Sequence, residues 1–164
     1  MGDCTILLMR HGPAADESVT GLDDDRILTA AGRGRVERMA EALISLGGRG
    51  AIPSSVVTSP LARASETSML LLRVLRKHGH DVPLHVAKEL APGRLTVASA
   101  AALCARHQGI TCMVGHEPCL SSFVAAAARA HLPRGMDKAM IVALSGTLPA
   151  MTLAWVLDPT EHGG

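Results

Sequence analysis

Three short stretches of the 164-residue chain carry side chains that could do chemistry. "LLMRHGPA" (7–14) ends an apolar run on Arg10, His11 and Gly12. "SPLAR" (59–63) places Arg63 on the first turn of an expected helix, and "GHEP" (115–118) ends a further apolar run on His116 and Glu117. A permanent cation beside an imidazole at the tip of a buried strand costs desolvation free energy, so the pair needs something charged to hold. Two arginines and two histidines suit a phosphoryl group, whose charge is spread over three equatorial oxygens during transfer. Arginine offers a planar fork of donors that stays charged at any working pH. A neutral imidazole can attack phosphorus, and a second, protonated histidine can stabilise the oxygens as charge builds.

These residues act together only if the chain brings the strand ends to one place. The run 4–9 (CTILLM) reads as a strand buried on both faces. A polar loop follows from Gly12 to Ile27, with the acidic run Asp23, Asp24 and Asp25. Thr29 is the expected N-cap of a helix to Leu46, ended by Gly47 and Gly48. "SSVVTS" (54–59) reads as a strand, after which Ser59 and Pro60 supply a cap and a first-turn proline for a helix to Lys77. Further along come a strand at 84–90, a helix at 96–107, a strand at 109–115 and a helix at 117–130. The last helix is apolar around most of its girth, which implies deep burial or, as a minor reading, a dimer face. "KAMIVALSG" and "AMTLAWVL" close the chain as a hairpin.

This alternation implies an α/β three-layer sandwich with a mainly parallel central sheet, helices on both faces and a C-terminal antiparallel hairpin. One domain spanning 1–164 is expected from the length. In such sheets ligands bind beyond the carboxyl ends of the strands, where Arg10, His11, Arg63 and His116 would converge.

Composition narrows the field. Apolar residues make up 48% of the chain and charged residues 19%, as in a globular protein. Phe123 and Trp155 are the only aromatics, which excludes stacking platforms for single-stranded nucleic acid. A net charge of +1 gives no global field to recruit DNA or an anionic membrane. No run is long enough to span a membrane, and the N-terminus lacks a signal-peptide pattern. A cytoplasmic protein, monomeric or weakly dimeric, with reduced cysteines at 4, 104, 112 and 119 is the expectation.

"RHG" after the first strand, "LTAAG" opening the first helix, "TSPLARASET" after the second strand and "GHEP" after a later one resemble, in order, the motifs of the histidine phosphatase superfamily. The short chain, "RHGPA" and "DDDRILT" are similar to the small SixA-type phosphohistidine phosphatases, with Ile27 where that group usually has proline. The resemblance implies that His11 is the phosphorylated nucleophile. Arg10, Gly12, Arg63 and His116 would complete the phosphate pocket, supported from behind by Thr29 and Ser59. It implies a metal-independent phosphatase needing no cofactor, with a phosphohistidine-bearing protein as substrate. A small phosphoester on the same site, or a phosphate-reading module without catalysis, are the alternatives.

Glu89 falls near where larger relatives carry a proton donor, and an exposed strand-end glutamate is the plainer reading. Asp23 matches the loop acid of the SixA pattern, but the sequence does not separate it from Asp24 and Asp25. His78, His80 and His85 surround a turn without further ligands at metal-site spacing. Cys119 falls close to the expected pocket, where oxidation could reach it.

Overall fold

A computed structural model describes residues 2–48 and 50–162. Strand β1 (Cys4–Arg10) lies inside a six-stranded sheet. Its residues alternate between two buried faces, so no polar side is needed. Leu7 and Met9 pack with Val36, Leu71 and Leu75, whereas Ile6 and Leu8 pack with Leu103, Phe123 and Met113. Each such buried side chain stabilises the fold by about 1.5–3 kcal/mol.

Helix α1 (Ala30–Leu46) starts where the Thr29 hydroxyl accepts from the Gly32 N–H at 2.9 Å, and ends at Gly47 with a positive φ of 40°. Strand β2 (Ser55–Thr58) leads into α2 (Ala62–Lys77). Strand β3 (Leu84–Val86) is followed by helix α3 (Val97–Arg106), capped reciprocally by Thr96 and Ser99. Strand β4 (Ile110–Gly115), helix α4 (Cys119–Ala128), and strands β5 (Ile141–Thr147) and β6 (Ala150–Leu157) complete the order.

The sheet runs β3-β2-β4-β1-β5-β6. The pairs β2/β3, β2/β4 and β1/β4 are parallel, and β1/β5 and β5/β6 are antiparallel. Helices α1 and α2 cover one face and α3 and α4 the other, giving the expected three layers with a closing hairpin. Among the described residues no helix is long and apolar enough to cross a membrane.

Four local expectations need correction. The segment 84–90 is a strand only to Val86; Lys88–Leu90 turn into a 3-10 helix as the sheet edge ends. Helix α2 begins at Ala62 with Leu61 at its N-cap position, two residues past Ser59. Helix α4 is buried along Leu120, Phe123, Val124 and Ala127, but exposes Ser122, Ala125 and Ala126. Small alanines make that face tolerable in water although it reads as apolar. Strand β5 starts at Ile141, since Lys138 belongs to the loop before it.

Candidate active site

The parallel strands β1, β2 and β4 end together. The N–H of His11 donates to the Gly115 carbonyl at 3.1 Å and that of Ser59 to the Val114 carbonyl at 3.0 Å, so the residues after each strand stay in register. A cleft of about 330 Å³ opens there, lined by Arg10, His11, Ala14, Asp23, Arg26, Arg63, Pro92, His116, Glu117 and Lys138. Four permanent cations face two carboxylates in this wall. The cationic excess expected from the sequence is therefore local, inside a chain of nearly zero net charge.

His11 is buried, and its Nδ1 lies 2.8 Å from the Gly12 carbonyl. A carbonyl only accepts, so Nδ1 carries the proton and Nε2 keeps its lone pair. Burial, aided by Arg63 and Arg10, lowers the pKa of His11 to about 4, so the ring is neutral and nucleophilic near neutral pH. Its ring stands 5.1 Å, centroid to centroid, from that of His116.

His116 is also buried and bonds through Nε2 to the Ser59 hydroxyl at 2.8 Å. The Leu61 N–H donates to that same hydroxyl oxygen at 3.3 Å. The arrangement giving each proton one acceptor has Ser59 donating to Nε2, which leaves Nδ1–H of His116 as a donor. Burial, His11 and Arg63 lower its pKa to about 3. A protonated second histidine was the sequence expectation; in the free site the ring is neutral and offers an N–H instead of a charge.

Arg63 is held by the Asp23 carbonyl at 2.9 Å and the Asp23 carboxylate at 3.1 Å. Asp23 also accepts from Arg26 at 2.8 Å. Arg26 first and Arg63 second hold its pKa below the usual carboxylate range, so it is ionised. Arg10 donates to the Met136 carbonyl at 2.8 Å. The Nε groups of Arg10 and Arg63 and Nδ1 of His116 are buried and have no hydrogen-bond partner among the described residues. Such groups call for an explanation, and a tetrahedral oxyanion supplies acceptors of the right kind.

The supporting motifs explain themselves once folded. Gly12 donates its N–H to Thr67 at 3.0 Å, and an added Cβ would lie 2.6 Å from Val36. Thr67 donates in turn to the Arg63 carbonyl at 2.7 Å. Glu66 accepts from the Leu28 N–H at 2.8 Å and pairs with Arg33, tying the loop to α1. Thr29 caps α1 behind Pro13, whose carbonyl accepts the Thr29 N–H at 3.0 Å.

Glu89 is not brought to this cleft. It lines a separate recess with Lys88, Arg106 and His107 and accepts from Arg106 at 3.3 Å. The fold singles out Asp23 from the acidic run, which sequence could not do. It also adds Lys138 and Pro92, on loops that carried no motif, and gives Glu117 of "GHEP" and Met136 partners that the sequence does not indicate. His78 pairs with Glu41 at 2.7 Å while His85 stacks on His107, so the turn histidines do not converge. Among the described residues no three His, Cys, Asp or Glu side chains form a metal-holding group. Cys119 accepts the Gly93 N–H beside the cleft, and Cys112 is buried with its thiol pushed up to about 12.

The two histidines have a consequence for stability. Each takes a proton near its ordinary pKa of 6.5 when unfolded, but only at about 4 (His11) or about 3 (His116) when folded. The unfolded chain therefore binds more protons below pH 6.5, and stability falls as pH drops from there. Urea midpoints should be lower at about pH 5 than at about pH 7, and His116→Gln should shrink that difference. An unchanged difference in the variant would mean other groups cause it.

The fold and the site define a class, an α/β protein with a histidine and paired arginines at the carboxyl end of its sheet. The model of the histidine phosphatase superfamily (branch 1) matches residues 6–92, just over half the chain, and this protein belongs to that family. It is a phosphatase of the hydrolase class by that membership. No curated protein sequence matches it. The fold is similar to that of the protein histidine phosphatase SixA solved with tungstate (TM-score 0.80, 24% identity, 96% of this chain and 98% of that one). A protein described as SixA phosphohistidine phosphatase from Agrobacterium tumefaciens gives 0.78 at 21% identity, covering 94% and 97%. A mycobacterial glucosyl-3-phosphoglycerate phosphatase gives 0.65 at 20%, covering 92% and 97%.

Proposed function

We propose that this protein hydrolyses protein phosphohistidine through a covalent phosphohistidine on His11. The Nε2 lone pair of His11 attacks phosphorus as the P–N bond to the substrate ring breaks, and that ring, protonated on its other nitrogen, departs with the electron pair as neutral imidazole. Water then attacks the phosphorus on His11, releasing inorganic phosphate and restoring the free ring. Arg10, Arg63 and Nδ1–H of His116 hold the equatorial oxygens, and the Gly12 carbonyl keeps His11 in the reactive tautomer. The reaction as proposed draws its positive charge from the two arginines and uses no metal or cofactor.

One observation carries the choice of substrate. Both carboxylates of the cleft are committed as acceptors, Asp23 to Arg26 and Arg63, and Glu117 to Ser121 and Met136. An alkoxide leaving from a phosphate ester needs a proton from a placed acid, whereas an imidazole is a far better leaving group. The likeness to SixA-type folds supports the same reading. The cleft is also of a size that suits a small phosphoester, as in the sugar-phosphate phosphatase of similar fold.

The test presents the intact protein, in chelator, with a phosphohistidine-bearing carrier protein and separately with an alkyl phosphate. Faster phosphate release from the carrier by about 100-fold or more in kcat/KM is expected, of the order that loss of a needed proton donor gives. Faster release from the alkyl ester would move the assignment to a small-molecule phosphatase. Binding without release from either would make it a phosphate-reading module.

A further inference from the structure

We propose that Glu117 is a positioning residue that fixes the Arg10 guanidinium through the backbone of Met136. The inference rests on the reading of Arg10 as a phosphate ligand.

Glu117 presents a puzzle of sign, being a carboxylate in the wall of an anion site. Its hydrogen bonds resolve it. Oε1 accepts the Ser121 N–H at 2.9 Å, and Oε2 accepts the Ser121 hydroxyl at 2.6 Å and the Met136 N–H at 3.2 Å. Met136 is buried, and its carbonyl accepts Nη1 of Arg10 at 2.8 Å. That is the one hydrogen bond the Arg10 side chain makes among the described residues, so its aim depends on where Met136 sits.

Gly135 shows that this approach is built in. Its φ is +66°, and a Cβ there would lie 2.5 Å from Oε2 of Glu117. Only glycine lets the carboxylate reach the next N–H. The rest of the loop is anchored to the Arg10 backbone: the Ala139 N–H donates to the Arg10 carbonyl and the Arg10 N–H to the Met140 carbonyl, each at 3.1 Å. Glu117 thus supplies the connection that reaches the guanidinium instead of the main chain.

The rival role is a plain cap on α4, through Ser121. The two roles differ in what depends on Arg10. Affinity for inorganic phosphate would be measured by calorimetry for the intact protein, Glu117→Ala, Gly135→Ala, Arg10→Ala and the doubles with Arg10→Ala. Alanine at 117 removes the acceptor of the Met136 N–H, and alanine at 135 pushes the carboxylate aside, so the two variants disturb one connection from opposite ends. Each should weaken phosphate binding about tenfold, the size of one hydrogen bond to a charged group, and add nothing once Arg10 is gone. An equal loss with and without Arg10, or a lowered Tm with unchanged phosphate affinity in either variant that folds, overturns the proposal. If Arg10→Ala itself leaves phosphate binding intact, the phosphate-pocket reading fails instead.

Discussion

Replacing His11 by alanine is expected to lower kcat/KM by on the order of 10⁴ or more, the scale seen when a covalent nucleophile is removed. The size follows from the number of tasks in one ring. Its Nε2 is the one group proposed to bond to phosphorus, and its neutral state is set by burial and two flanking cations. Water could replace it only as a weaker nucleophile. Phosphate affinity should change far less, because Arg10, Arg63 and His116 remain. The informative experiment incubates both proteins with a carrier labelled on phosphorus and quenches in alkali, where phosphohistidine survives. Label should accumulate on the intact protein and not on His11→Ala. Residual turnover above about a tenth of the original would mean that the attacking group is another one. His116→Ala should cost less, about 10²–10³, as expected for a donor that stabilises oxygens without forming a bond.

The largest effect on stability is expected from Gly32→Ala. Gly32 lies on the first turn of α1, and an added Cβ would overlap the Pro13 carbonyl oxygen and approach its carbon at 2.9 Å. That carbonyl cannot retreat freely, since it accepts the Thr29 N–H that starts the helix. Either α1 moves off the loop or the loop moves off α1. Overpacking against side chains costs about 1–3 kcal/mol, and overlap with backbone falls at or above the upper end. For a chain of this length about 3 kcal/mol corresponds to a Tm lower by roughly 6–12 °C. Because Pro13 follows Gly12 directly, kcat/KM should fall as well at temperatures where the variant stays folded. A variant with unchanged Tm would show that the loop yields easily. Gly34→Ala is the control, since its Cβ would meet only the flexible Arg38 guanidinium at 3.3 Å.

What the sequence disclosed and what it withheld divide along physical lines. Long apolar runs and capped helices are local properties, so the order of strands and helices and the convergence of three strand ends were legible from residues 4–9, 54–59 and 109–115. Arg10, His11 and His116 were legible for the same reason, each lying at the end of such a run, and Arg63 because it falls on the first turn of the helix that follows one. Ser59 looked like a helix cap because a serine before proline usually is one, but the helix starts three residues later and the hydroxyl bonds His116, 57 positions away, as well as the Leu61 N–H. Asp23 could not be told from its neighbours, because its distinction is a contact with Arg63, 40 positions away. Glu89 failed as a candidate acid for the opposite reason. Its position along the chain suggested the pocket, yet the turn after β3 sends it to Arg106 on α3. Lys138 carries no local mark at all; it enters the cleft because the loop before β5 folds over the end of β1.

The Thr67 hydroxyl carries an implication for how accurately the reacting atoms can be set. It accepts from Gly12, 55 positions away along the chain, and donates to the carbonyl of Arg63, so one oxygen ties the end of β1 to the first turn of α2. The spacing between the main chain beside His11 and that of Arg63 therefore need not inherit the positional scatter of the loop and helix between them. The acidic loop, through Asp23, then orients the guanidinium on a backbone whose place is already set. A catalyst built this way spends little of its substrate's binding energy on assembling the phosphate pocket, because the tolerance is set before anything binds.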